Sequence, residues 1–306
     1  MKRAVITGPT GCIGRALVDL CIKNGYDVLA VVNPDSKRTE TLKKKEHFQV
    51  MELGLDDYES AMEEVSRQDI DVTDCHIFFH LAWMGSYGKG RDNLELQLKN
   101  IEGALRAVEF AQKLGCRIFV GVGSQAEYGR TDNTLLPDTP TFPETGYGAA
   151  KLCAGQMTRL RCRQLGMKHV WCRVLSVYGP YDRPETLIST AVKRMSAGED
   201  TRFTPCEQVW DYIYSEDAAR AILTAAEKGT DGQTFLVGSA ASRPLKEYVE
   251  EIARITEYNK EIGFGKIPYN DKQVMHLEAD ITALKELGFT PEISFEEGIK
   301  RTIATS

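Results

Sequence analysis

The sequence predicts an α/β fold: a Rossmann-like doubly wound parallel sheet with a smaller, interleaved C-terminal substrate lobe. Three observations support this prediction. Short apolar runs alternate with longer amphipathic stretches, a glycine-rich segment follows the first apolar run, and the 306 residues exceed what one ordinary core accommodates. Strands separated by helices of about ten to fifteen residues are typical of a parallel sheet covered by helices on both faces.

Five apolar runs are predicted as strands: residues 4–7, 27–32, 76–82, 117–122 and 169–175. Three amphipathic stretches are predicted as helices, and each precedes a glycine of the kind that ends a helix in the left-handed conformation. These helices cover residues 13–24, 93–114 and 147–165, before Gly25, Gly115 and Gly166. Strand, helix and strand in succession make right-handed βαβ units.

The first strand leads into three glycines at the start of the first helix, in the spacing G-x-x-G-x-x-G. In this context the pattern predicts a dinucleotide-binding turn, because a tight turn, close backbone approach and a free helix N-terminus suit a pyrophosphate. A purely structural turn is the alternative. We expect the cofactor to contact Gly8, Thr10, Gly11, Cys12, Ile13 and Gly14.

The end of the second strand bears on the choice of cofactor. No carboxylate follows the strand directly to bind a ribose 2′-hydroxyl, as NAD would require. Hydroxyl and cationic side chains in residues 36–38 suit a 2′-phosphate instead. We therefore predict NADP(H) as the preferred cofactor, with contacts from Asn33, Ser36 and Arg38. An inward-turned Asp35 leaves NAD(H) possible, and a solvated basic loop is the alternative to a binding loop.

Tyr147 and Lys151 lie four residues apart, on one face of the predicted helix. An ammonium near a phenol lowers the tyrosine pKa toward the range that acid–base catalysis requires. Ser124 follows a predicted strand, where parallel sheets bind ligands. We predict these three residues as the catalytic group, with Tyr147 and Lys151 also contacting the cofactor. A surface Tyr–Lys pair and a capping serine are the structural alternatives.

Composition excludes several classes of function. The net charge of −6 argues against nucleic acid as a partner. The first residues run directly into a strand, which is unlike a signal peptide or a membrane helix, so no membrane partner is expected. The eight cysteines form no C-x-x-C and the five histidines no H-E-x-x-H, so no metal site is predicted. Reduced thiols indicate a cytoplasmic protein.

Seven ordered segments make the chain similar to the extended short-chain dehydrogenase/reductases, in particular the nucleotide-sugar epimerase, dehydratase and reductase group. They are TGPTGCIG (7–14), HLAW (80–83), NIEG (100–103), GSQAEYG (123–129), YGAAK (147–151), RVLSVYGP (173–180) and WDYIYSEDAARA (210–221).

This resemblance implies a catalytic triad of Ser124, Tyr147 and Lys151 acting at the C4 oxygen of a nucleotide sugar. It adds Leu81, Ala82 and Asn100 to the cofactor contacts, and it implies a homodimer through the helices near 94–114 and 147–165. Residues 1–175 are then the dinucleotide-binding domain and 176–306 mainly the substrate lobe, with some segments returning to the first domain. The implied substrate contacts are Ser124, Gln125, Glu127, Tyr178 and Arg183.

Departures from the group narrow the reaction. Dehydratases carry an Asp-Glu pair where this chain has Gln125 and Ala126, and the members that epimerise at C3 and C5 carry a cysteine at the latter place. C4 chemistry remains: reduction of a nucleotide-linked 4-keto-6-deoxy sugar with NADPH, or 4-epimerisation with tightly bound NAD. The absent carboxylate favours the reductase, as do the segments 123–129 and 264–280, which are most similar to the synthases that reduce such sugars. A non-catalytic dinucleotide sensor is a third reading.

Trp210 stands where the group has a diphosphate-binding arginine. Phosphate binding is therefore expected to be rearranged, and Trp210 is equally compatible with a place in the core. Four cations are candidate substitutes: Arg173, Arg183, Arg202 and Lys266.

Overall fold

The computed structural model describes residues 2–42 and 46–305. Its first half contains β1 (Arg3–Thr7), α1 (Cys12–Lys23), β2 (Asp27–Val32), β3 (Phe48–Glu52), α2 (Ala61–Arg67), β4 (Cys75–His80), α3 (Leu94–Lys113), β5 (Ile118–Ser124) and α4 (Gly146–Gln164).

The second half contains β6 (Lys168–Val174), β7 (Ser176–Tyr178), α5 (Leu187–Ser196), β8 (Val209–Trp210), β9 (Tyr212–Tyr214), α6 (Ser215–Lys228), β10 (Gln233–Val237), β11 (Arg243–Pro244), α7 (Leu245–Ile255), α8 (Thr282–Glu286) and α9 (Phe295–Thr305).

Seven parallel strands form the main sheet in the order β3-β2-β1-β4-β5-β6-β10. The predicted doubly wound sheet is thus confirmed. The chain turns from one half of the sheet to the other between β1 and β4. Parallel sheets bind ligands in the crevice at the carboxyl ends of strands at such a switch point.

Helices cover both faces of this sheet. The core on one face combines side chains of α1 and α6 with the strands, and that on the other face combines α3 and the segment 53–65. The glycines after the three predicted helices all have positive φ: +78° at Gly25, +82° at Gly115 and +68° at Gly166. Each therefore ends its helix in the left-handed conformation, as the sequence predicts.

Two strands of the main sheet were not predicted from the sequence. Strand β3 lies at one edge of the sheet and is only half-buried, so it lacks a continuous apolar run. Strand β10 forms the opposite edge, after the chain has passed through 176–232. Strand β4 ends two residues earlier than predicted, because the N–H groups of Leu81 and Ala82 both donate to Thr7 Oγ1 at 3.1 Å.

A third core lies outside the main sheet and is rich in aromatic rings. The rings of Tyr178, Tyr212, Tyr248 and Phe295 make five edge or tilted contacts with one another, at centroid distances of 4.7–6.2 Å. Helices α5, α7 and α9 supply the aliphatic side chains around them. This core supports the lobe that faces the carboxyl ends of the strands.

Candidate active site

A cavity of about 640 Å³ lies at the carboxyl ends of β1, β4 and β5. The lobe contributes Tyr181, Asp182, Arg183 and Thr186 to its wall. Fifteen of the residues predicted to bind cofactor or substrate line this cavity: Gly8, Thr10, Gly11, Cys12, Ile13, Gly14, Asn33, Ser36, Arg38, Leu81, Ala82, Ser124, Tyr147, Lys151 and Arg183. The crevice predicted from the sheet topology and the predicted binding residues therefore coincide.

The three glycines of the first turn have different roles. Gly8 has φ +68°, which favours glycine. A Cβ on Gly14 would lie 2.2 Å from the Gly8 carbonyl oxygen. The absence of a side chain at Gly14 therefore allows the first turn of α1 to pack closely against the backbone of the glycine turn. A Cβ on Gly11 would meet only that oxygen, at 3.7 Å, while Gly11 lines the cavity. The turn thus leaves an open cradle at the N-terminus of α1, which fits a pyrophosphate.

The loop after β4 is fixed from below by buried hydrogen bonds. Thr7 Oγ1 lies 3.1 Å from His80 Nδ1, and it accepts hydrogen bonds from the backbone N–H groups of Leu81 and Ala82. Burial, and then the charge of Lys151, lowers the pKa of His80 to about 3, so its ring is neutral. Asn100 continues this support, since its amide bonds both the N–H and the carbonyl of Met84 at 2.8 and 2.9 Å.

The end of the cavity beside residues 33–38 has mixed chemistry. Asn33, Ser36 and Arg38 line it as predicted, whereas Lys37 does not. Asp35 also lines it, and its N–H donates to Asn33 Oδ1 at 3.0 Å. Arg38 Nη1 donates to the Tyr181 carbonyl at 3.2 Å, which joins this loop to the lobe. The cavity wall here therefore carries both a carboxylate and a guanidinium.

Tyr147, Lys151 and Ser124 meet at the other end of the cavity. Ser124 is the last residue of β5, and its hydroxyl also caps the short helix Gln125–Glu127 by accepting from Ala126 N at 3.2 Å. Helix α4 approaches this segment closely, because a Cβ on Gly148 would lie 2.2 Å from the Ala126 carbonyl oxygen. The catalytic and the capping interpretations of Ser124 are thus compatible.

Lys151 is 4% exposed and has two contacts. Its Nζ donates to the Val122 carbonyl at 2.7 Å and lies 3.7 Å from the centroid of a Trp83 ring. Burial lowers the pKa of Lys151 to about 7, against the opposing effect of Glu127. The ammonium is 5.9 Å from the centroid of the Tyr147 ring.

The Tyr147 pKa differs from the sequence expectation. Burial raises it above the usual value, and the interaction with Ser124 and the charges of Arg91 and Arg183 oppose that rise. The expected lowering by Lys151 is not the main effect, because the ammonium lies nearer to Trp83 than to the phenol ring. Desolvation of the phenolate dominates instead.

Glu127 was predicted as a substrate contact, but the structure buries it completely. Its carboxylate accepts from Ser124 N at 2.8 Å, Trp171 Nε1 at 3.1 Å and Arg173 Nε at 2.6 Å. A Cβ on Gly123 would lie 2.3 Å from both Glu127 Oε1 and Trp171 Nε1. Glu127 therefore supports the end of β5 from behind, because the backbone of Gly123 and Ser124 separates it from the cavity.

Three other predicted contacts lie outside the cavity lining. Tyr178 is 1% exposed and packs in the aromatic core, with its hydroxyl 3.3 Å from the Phe295 carbonyl. Asn100 is fully buried and acts on the loop at Met84 instead of reaching the cavity. Gln125 is half-buried beside Ser124 but does not line the cavity.

Of the four cations considered as substitutes for the diphosphate-binding arginine, only Arg183 lines the cavity. Arg173 is committed to Glu127, and Arg202 and Lys266 are exposed away from the cavity. Arg183 lines the cavity and donates from Nη2 to Ser86 Oγ at 3.1 Å. Trp210 packs between two cores, and its Nε1 donates to Ser176 Oγ at 2.8 Å.

Several lining residues were not predicted: Trp83, Ser86, Tyr87, Tyr181, Asp182 and Thr186. Trp83 had a usable signal, since it directly follows the HLA segment after a predicted strand. Tyr181 and its neighbours had none, because their place depends on how the lobe folds back over the sheet.

In residues 2–42 and 46–305, no three His, Cys, Asp or Glu side chains are grouped so that they could hold a metal ion. Over the same ranges, no helix has both the length and the apolar character needed to cross a membrane.

Comparison with known proteins adds to this geometry. Residues 4–238 match the model of the NAD dependent epimerase/dehydratase family. The chain is 24% identical over 311 residues to CDP-abequose synthase of Salmonella muenchen, covering 99% of this chain and 97% of that protein.

Two solved structures share the fold over nearly the whole chain. UDP-glucose 4-epimerase of Thermotoga maritima with UDP-glucose is 29% identical with a TM-score of 0.87, covering 99% of this chain and 98% of that one. UDP-glucose 4-epimerase of Thermus thermophilus in complex with NAD is 20% identical with a TM-score of 0.86, at 99% and 98% coverage.

Proposed function

Because the chain belongs to the NAD dependent epimerase/dehydratase family, whose members are NAD(P)-dependent enzymes of the extended short-chain dehydrogenase/reductase type, we propose that it reduces the C4 keto group of a nucleotide-linked 4-keto-6-deoxy sugar. The observation that carries this proposal is the convergence of Ser124, Tyr147 and Lys151 at one end of a cavity whose other end is the glycine turn. Full-length similarity to CDP-abequose synthase supports the reductase assignment.

The residues fit a dinucleotide, since the turn at Gly8–Gly14 leaves space where N–H groups of α1 are free of side-chain caps. When bound, the dinucleotide supplies the hydride that reduces the sugar C4. Tyr147 donates its hydroxyl proton to the C4 oxygen, and Ser124 donates a hydrogen bond to the same oxygen. Lys151 stabilises the phenolate that remains.

We propose NADP(H) as the preferred cofactor, with Ser36 and Arg38 on the 2′-phosphate. Asp35 in the same wall is the observation that favours NAD(H), because a carboxylate suits a free 2′-hydroxyl. The aromatic lobe would then bind the nucleotide sugar, with Arg183 as the candidate cation for its diphosphate, while residues 1–175 bind the dinucleotide.

The second candidate function is 4-epimerisation of a nucleotide sugar with tightly bound NAD. Asp35 and the similarity to UDP-glucose 4-epimerase of Thermotoga maritima favour it. Denaturing the purified protein separates the two candidates. Release of stoichiometric NAD would support the epimerase, whereas consumption of added NADPH with a CDP- or dTDP-linked 4-keto-6-deoxy sugar supports the reductase.

Replacing Tyr147 tests the assigned chemistry. We expect Tyr147→Phe to lower kcat by about 10²- to 10⁴-fold, because it removes the proton donor and leaves the ring. The absorbance of NADPH follows the rate, and circular dichroism checks the fold. Tyr258→Phe is the matched control, since its hydroxyl bonds the Glu199 carbonyl in the lobe. Wild-type turnover in Tyr147→Phe would contradict the mechanism.

We also propose a homodimer. Helices α3 and α4 pack side by side, and four apolar side chains on them are 40–65% exposed: Leu94, Leu98, Met157 and Leu160. An exposed apolar patch of this kind suits an isologous interface.

A further inference from the structure

Arg91 lies over the face of the Tyr147 ring. Its guanidinium carbon is 4.3 Å from the ring centroid. The side chain is half-buried, and Nη1 donates to the Ser86 carbonyl at 3.3 Å. Among residues 2–42 and 46–305 it makes no ion pair with a carboxylate, so its charge is not neutralised by a partner. A cation in this position is attracted to the ring and still more to a phenolate.

The turn that carries Arg91 is fastened to the site on two sides. Gln97 Nε2 donates to the carbonyls of Gly85 and Gly90 at 3.1 and 2.8 Å. On the other side, Asp92 Oδ1 accepts from Gly146 N at 3.2 Å, at the start of α4. A Cβ on Gly146 would lie 3.0 Å from the Arg91 carbonyl oxygen. The guanidinium is therefore held by a built turn that contacts the helix of Tyr147.

Besides Arg91, charged and polar groups of helix α4, of the β5 end and of the lobe lie around Tyr147. Lys151, on the same helix, has its Nζ at 5.9 Å from the ring centroid, and Trp83 meets the ring edge-on at 6.2 Å. From β5 and the lobe, the Ser124 hydroxyl, the Arg183 charge and the Glu127 charge also act on the phenol.

Glu127 is the one carboxylate among these groups in the described ranges, and Arg173 opposes it at 2.6 Å. Of the two cations that contact the ring in the described ranges, Arg91 is the nearer.

We propose that Arg91 is a positioning residue that acts through Tyr147, by stabilising the phenolate left when the proton is given up. The inference rests on the proposed role of Tyr147 as proton donor. The Arg91 charge lowers the pKa of Tyr147 against burial, which raises it. The turn after β4 thus serves the chemistry as well as the cofactor pocket.

The test replaces the charge and titrates the phenol directly. NMR of protein labelled in its tyrosine rings, with the Tyr147 signal assigned by its loss in Tyr147→Phe, gives the Tyr147 acid dissociation constant. We expect Arg91→Gln to lower that constant by about three- to tenfold. Lys89→Gln removes the same charge from an exposed site on the same turn and should leave it unchanged. Arg91→Lys should restore part of the effect.

The pH profile of reduction gives a second readout. The active form of Tyr147 is protonated, so the rate falls as pH rises through its pKa. Arg91→Gln should move this fall to higher pH and leave the KM for the nucleotide sugar nearly unchanged. An unchanged titration together with a raised KM would overturn the inference and make Arg91 a substrate ligand.

The titration uses protein without substrate. It therefore tests the effect of Arg91 on Tyr147 even if the protein turns over no nucleotide sugar. Failure of turnover alone would count against the proposed function and not against this inference. If Arg91→Gln did not fold, Arg91→Met would replace it in the same titration, because it also removes the charge. A constant equal to that of the wild type in Arg91→Met would contradict the inference.

Discussion

At the scale of single residues, Lys151 shows how burial and contacts set chemistry. Its ammonium rests on Trp83 and bonds the Val122 carbonyl, in a place from which water is largely excluded. The unfolded chain would keep the usual lysine pKa, whereas the folded chain lowers it to about 7. Between these two pH values the unfolded state binds the extra proton, so stability should rise with pH.

This gives a prediction for Lys151→Met. At about pH 6 the variant should be more stable than the wild type, because the folded wild type must bury the charged Lys151 ammonium. By about pH 9 that advantage should shrink, since the wild-type lysine is then neutral when folded. Urea unfolding at the two pH values measures the difference, with exposed Lys113→Met as the control. A pH-independent difference would contradict the lowered pKa.

At the scale of elements, the glycine turn separates packing from binding. Gly14 has no room for a methyl group, while Gly11 has room on the protein side and lines the cavity. Both glycines belong to one motif in the sequence, in which the second is expected at the pyrophosphate and the third at a close packing contact. The distances of 3.7 and 2.2 Å to the Gly8 carbonyl oxygen agree with these two roles.

The pair Gly11→Ala and Gly14→Ala tests this separation. Gly14→Ala should destabilise the free protein by about 1–3 kcal/mol, because the methyl group meets backbone. Gly11→Ala should leave its Tm unchanged and weaken NADPH binding by about tenfold or more, equivalent to about 1.4 kcal/mol. Thermal unfolding with and without NADPH measures both effects. Equal losses of Tm in the two variants would refute the assignment.

The predictable elements were those with strong local signals. Helix ends at Gly25, Gly115 and Gly166 follow from the left-handed conformation that glycine accepts. Strand β3 escaped prediction because it is half-buried and lacks a continuous apolar run. Strand β10 escaped because its apolar run covers only residues 235–237 and follows the long lobe segment 176–232. Glu127 was misplaced for a different reason: the resemblance implied a substrate contact beside Ser124, but only the folded sheet reveals that Trp171 and Arg173 bind this carboxylate from behind.

At the scale of the whole molecule, the proposed homodimer depends on the exposed face of α3 and α4. Leu98→Glu should convert the dimer to a monomer, because a carboxylate would be buried in an apolar interface. Light scattering after size-exclusion chromatography measures the mass. Ile267→Glu changes an exposed apolar residue of the lobe and should leave the mass unchanged. A dimer that persists in Leu98→Glu would place the interface elsewhere.

The bond from Arg38 to the Tyr181 carbonyl has an evolutionary consequence. One side chain both lines the cavity and spans its mouth to the lobe. If Arg38 binds the 2′-phosphate as proposed, a lineage that exchanges this arginine to alter coenzyme choice also loses that bridge, so coenzyme preference and the geometry of the mouth change together. Grafting the loop from a relative therefore requires a compensating change in the lobe.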